Sequence, residues 1–87
     1  MKKENLKIVV LTTQQKVLTQ VEEVQSELGE PDCKFVEPFL VNEDGTLSPW
    51  LLDVTTQNTF MISSDKILTL VEPNSKLVQK YEDVLNE

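Results

Sequence analysis

Acid–base or metal chemistry in this 87-residue chain would have to come from its carboxylates, since it holds no histidine and a single cysteine. Glu22-Glu23, Glu43-Asp44, Asp53, Asp65 and Glu72 supply the acids, and a pair of them could bind a divalent cation or pass a proton. Neighbouring acids on a strand point to opposite faces, and Glu43-Asp44 precede Gly45 in a turn, so solvated charge is the reading their spacing favours. Nucleophilic catalysis lacks its base: nothing pairs with Cys33, which opens an apolar run and reads as a small core residue. No serine sits in a Gly-x-Ser-x-Gly elbow, and the only glycines, Gly29 and Gly45, are too far apart for a phosphate loop. One thiolate without histidine cannot hold a structural zinc. The expectation is a non-enzyme with no metal and no cofactor.

Trp50 lies between Pro49 and two leucines, where it could stack on a base or pack in a core or subunit interface; packing is the favoured reading. The charge bears on partners. Net charge is −7, with eight lysines and no arginine, the preferred cation for gripping phosphates. Acidity of this kind serves solubility and counts against tight nucleic-acid binding, although an assembled ring could still gather a few lysines on one face.

Positioning falls to short elements. Leu6–Leu11 (LKIVVL) reads as a buried strand, and Thr12–Gln15 as a turn. In Val17–Val24 the alternation slips, which predicts a bulge near Gln20 or Glu22 and a strongly bent strand. Gln25–Asp32 is a loop; Cys33–Val41 is a strand whose Pro38 must sit at a bulge or an edge. Asp44-Gly45 marks a hairpin into a partner strand over Leu47–Val54. Phe60–Ile62 and Ile67–Val71 are strands around a tight break at Ser63–Lys66. Leu77, Val78, Tyr81, Val84 and Leu85 then fall at helical spacing, which predicts a helix over about 74–86 capped by Asn74 or Ser75. That helix either covers an open end of a barrel or docks a partner.

All of this fits one domain over residues 1–87. A chain this small gains little net stability from its own core, and with no second cysteine to staple it, self-association is the available source of further burial. Short strands with free edges invite it. The longest apolar run, Ile8–Leu11, is far short of the roughly 20 residues that span a membrane, and no apolar stretch follows Lys2-Lys3. An unpaired cysteine suits a reducing, cytoplasmic location.

The order of elements resembles the Sm fold. Ile8–Val21 is similar to the opening of the first Sm motif, with an apolar strand, a tight turn usually bearing glycine, and a strand that bends away. Ile62–Leu70 resembles a degenerate second Sm motif, where Ile-Arg-Gly-x-x-Ile is typical. Leu11-Thr12-Thr13 with Lys16-Val17, then Pro49-Trp50-Leu51, Val71-Glu72-Pro73, Leu77 and Tyr81, looks more specifically like the small Sm-like proteins of T4-type cyanophages found in marine collections.

The resemblance implies a small, strongly bent, five-stranded Sm-like barrel with a C-terminal helix, where typical Sm proteins carry theirs at the N-terminus. It implies a homo-oligomeric ring of about five to seven copies, strand four of one pairing with strand five of the next. It also implies a binding role in the cytoplasm of the host cell, with single-stranded RNA or DNA as ligand; a protein-interaction ring without nucleic acid is the alternative. Ser63 and Ser64 stand where the motif's arginine and glycine would grip RNA. With Asp65, Lys66, Lys34 and Asn42 they are the candidate nucleic-acid contacts.

Overall fold

Leu6–Leu11 forms β1 because its apolar residues serve both faces of the sheet: Leu6 and Ile8 enter one core, Val9 and Leu11 another. The computed structural model describes residues 5–51 and 54–86. β1 turns through Thr12–Gln15, where Gln14 takes the left-handed φ of 69° that a glycine would adopt freely, into β2 at Lys16–Glu23. β2 pairs with β3, Cys33–Val41.

β3 carries the bend. Leu18 faces Phe39 but Gln20 faces Val36, so Thr19 stands opposite two residues, Glu37 and Pro38. The irregularity falls beside Gln20 and at Pro38, as expected, but the extra residue lies on β3 and not on β2, in the strand whose Pro38 has no N–H for the ladder. Its consequence is a change of face. Phe35 and Phe39, four apart, would share a side of a regular strand, yet Phe35 packs with Val9, Leu11 and Val17, and Phe39 with Leu6, Leu18 and Tyr81. Glu37 adopts a left-handed φ of 51° to make the shift. Its N–H donates to the Asn58 carbonyl at 2.7 Å, and its carbonyl accepts from the Tyr81 hydroxyl at 2.9 Å. The Thr19 hydroxyl donates to the Val36 carbonyl at 3.0 Å, which satisfies the one fully buried polar side chain beside the bulge.

The Asp44-Gly45 hairpin forms as expected: Asp44 accepts from the Thr46 N–H and hydroxyl, and Gly45 takes φ 86°. The strand after it, β4, is only Leu47–Pro49, shorter than the expected Leu47–Val54. Pro49 ends the ladder and Leu51, at φ 64°, turns the chain away; Leu52 and Asp53 lie outside the described residues. β3 regains an edge partner from β5, Thr59–Ile62, so β4 and β5 lie in line along one edge of β3. A 3-10 turn at Ser64–Lys66 leads into β6, Ile67–Val71, which pairs with β1.

The result is mostly β: one antiparallel six-stranded sheet in the order β4-β3-β2-β1-β6, with β5 beside β3. The sheet is open, with β6 at one edge and β4 and β5 at the other. Helix α1, Ser75–Leu85, begins at Asn74, whose side chain accepts from the Leu77 N–H at 3.0 Å. With no barrel end to plug, α1 lies on a sheet face: Leu77, Val78, Tyr81, Val84 and Leu85 pack over Leu6, Leu18 and Phe39. Tyr81 meets Phe39 edge-on at 5.6 Å, and Lys80 donates to the Gly45 carbonyl at 2.8 Å, tying helix to hairpin. Burial holds the Tyr81 phenol above its ordinary range, against the opposing hydrogen bond from Gln20.

Candidate functional site

Two loops meet at one end of the sheet because of its register. Glu23 faces Cys33 and Cys33 faces Ile62, so the β2–β3 loop and the β5–β6 turn emerge side by side. Asp32 joins them: one carboxylate oxygen accepts from the Ser64 N–H and the other from the Ser64 hydroxyl, both at 2.7 Å. These two bonds, the hydroxyl's first, hold the Asp32 carboxyl below its ordinary 3.8.

Ser63, Ser64, Asp65 and Lys66 thus stand together in one turn, closed by the Lys66 N–H donating to the Ser63 carbonyl at 3.0 Å. Ser64 is already engaged by Asp32, whereas Lys66 is exposed and makes no ion pair among the described residues. Lys34 is nearby, opposite Met61 on β5, but it lies 3.6 Å from Glu22. Asn42 is elsewhere. It is eight positions beyond Lys34 along extended chain, about 26 Å, and its amide is spent on Thr46 and Ser48 in the hairpin. The segments building this end carry Glu22, Glu23, Glu27, Glu30, Asp32 and Asp65 against only Lys34 and Lys66. Such an end repels phosphates more than it collects them.

Cys33, at the base of the same loop, is buried, and burial followed by the charges of Asp32 and Glu23 pushes its thiol above the ordinary 9.0. A thiol so placed is a poor nucleophile. Among the described residues no group of three or more acidic, cysteine or histidine side chains is arranged to hold a metal ion, and no helix is long and apolar enough to cross a membrane. Trp50 packs between Phe35 and Phe60, with ring centroids 6.3 and 5.7 Å away.

A different feature is not flagged by any motif. β6 reads Ile-Leu-Thr-Leu-Val, a run suited to a strand covered on both faces, yet it is an edge strand. Leu68, Leu70 and Val71 are 62%, 47% and 45% exposed, and Met61 on β5, at the opposite edge, is 50% exposed. Edge strands are commonly protected by charge or proline, and the stretch Ile67–Val71 has neither. Continuous hydrophobicity was the available signal, but only the topology tells an edge from a centre.

A family model described as Family of unknown function (DUF6561) matches residues 4–86. No curated protein matches the chain.

Proposed function

The chain belongs to the family of unknown function DUF6561, and we propose that it is a non-enzymatic, Sm-like assembly module whose copies join edge to edge in a ring. The observation that carries this reading is β6, an uncharged, apolar strand at a sheet edge. Its outer ladder groups and the exposed Leu68, Leu70 and Val71 suit a β-strand partner better than water. β5 offers the matching edge, with Met61 exposed. In the Sm-like arrangement the strands on either side of the short turn pair between neighbours, and here those strands are β5 and β6. The bend at the β3 bulge and the placing of the last strand beside the first support the same reading.

Light scattering or native mass spectrometry tests it. The expected mass is about five to seven times the 9.9 kDa of the chain. The double substitution Leu68→Lys, Leu70→Lys should give a folded monomer, because charge on an edge blocks pairing. A monomeric native protein at micromolar concentration sinks the proposal.

Lys66, exposed and in no ion pair among the described residues, supports a second reading against the acidic balance of its end of the sheet: single-stranded nucleic acid bound weakly at the Ser63–Lys66 turn. Titration of labelled oligo-U at low and moderate salt should then show a log–log slope of about −0.7 per phosphate neutralised, lost in Lys66→Ala. Absence of binding at low salt removes this reading and leaves a ring that engages proteins.

A further inference from the structure

Where β4 ends and β5 has yet to begin, residues 37–38 of β3 lack a strand partner on that edge, and a cavity of about 250 Å³ opens there. Its lining includes Glu37, Phe39, Trp50, Asn58, Phe60 and Leu85. We propose that this cavity binds a small organic cation, a one-ring or methylated ammonium compound, between the carboxylate of Glu37 and the aromatic faces of Trp50 and Phe60.

Charge selects the ligand class. Glu37 is the only charged residue in the lining among the described residues, and its carboxylate is in no ion pair among them. No lysine lines the space to attract a phosphate or carboxylate, whose charge Glu37 would repel; Thr56, Gln57 and Asn58 supply neutral polar groups. The walls reinforce the choice. Trp50 and Phe60 meet edge to face at 5.7 Å with planes 67° apart, both rings line the space, and tryptophan is the side chain whose face best attracts a cation. The volume sits just below the usual range for ligand pockets and suits a compound of about ten heavy atoms.

The backbone supplies an independent argument. Glu37 holds a left-handed φ of 51°, in a bulge position where glycine is the unstrained choice. The Asn58 carbonyl and the Tyr81 hydroxyl both fix that conformation, at 2.7 and 2.9 Å. These bonds fix the main chain from which the Glu37 side chain departs at the cavity.

Trp50 is the only tryptophan in the chain, so its fluorescence reports on this cavity alone. Three probes of similar shape separate charge from fit: phenethylammonium, neutral 2-phenylethanol and anionic phenylacetate. Phenethylammonium should give a saturable change, binding about three- to tenfold more tightly than the alcohol, with phenylacetate weakest. Glu37→Gln should reduce the ammonium's affinity toward that of the alcohol and leave the alcohol's unchanged, while Glu43→Gln in the hairpin should change neither. Equal affinity for the three probes overturns the proposal, as does the absence of any saturable change by about 10 mM ammonium, the weakest affinity worth calling a site. The charge ranking on the native protein decides the matter even if Glu37→Gln folds poorly.

Discussion

Glu37 and Asp32 show how single side chains set this structure. A glutamate at φ 51° carries a backbone cost of about 1 kcal/mol that glycine would not. Part of the gain on replacement is returned as unfolded-chain entropy, so Glu37→Gly should stabilise by about 0.5 kcal/mol and raise Tm by about 2–4 °C in a thermal melt. A lowered Tm would mean that the side chain contributes more to the fold than its backbone costs. Asp32 has the opposite character, a strained-free exposed carboxylate with two good donors. Its pKa is depressed in the folded state, so the tether it makes is fully present above the ordinary 3.8 and is lost as pH falls through the lowered folded value. Amide exchange at Ser64, followed by NMR, should show protection at neutral pH that disappears on acidification below 3.8, and Asp32→Asn should remove most of it at every pH. Neither residue was legible as special. Glu37-Pro38 inside a strand hinted at a bulge, but the left-handed residue could not be picked out, and Asp32 looked like one more loop acid until register set it against Ser64.

Among the elements, those with local causes were the readable ones. The Asp44-Gly45 hairpin and the helix from Asn74 follow from turn chemistry and from 3.6-residue periodicity, and both appear where expected. Asn74→Ala should cost about 1 kcal/mol, read from urea unfolding, since it leaves the Leu77 N–H without its cap. An unchanged stability would show that the first turn is held by packing alone. β4 was overestimated because Leu51 and Val54 look like strand residues, while the turn at Leu51 depends on a positive φ that its residue type does not announce. The bulge lies where Pro38 and Gln20 place it, but its extra residue is on β3 and not on β2: the alternation slips in both strands, and only pairing shows which holds the extra residue. Of the candidate site, Ser63–Lys66 stay together because they are contiguous, whereas Asn42 separates because strand length, not sequence proximity, sets its distance.

At the level of the whole molecule, net charge and the proposed edge pairing would pull against each other. Copies carrying −7 each repel at low ionic strength, whereas contact between apolar edges would depend little on salt. Raising salt from about 10 to 300 mM, which shortens the Debye length from roughly 30 to under 10 Å, should therefore shift the mass distribution toward the assembled form. Binding to a nucleic acid would weaken over the same interval, so one salt series read by light scattering and by oligonucleotide titration separates the two roles.

The pairing of the last strand with the first has a consequence for synthesis. Val9 meets Leu70 across the β1–β6 ladder, so β1 leaves the ribosome long before its second neighbour exists. At about 5–20 residues per second, the interval is several seconds in which one side of the first strand is bare. Any neighbouring nascent chain with the same sequence offers that side a β6 before its own arrives. Polysomes are therefore where exchanged strands between copies would first arise, and slow translation of the stretch between β5 and β6 would increase them.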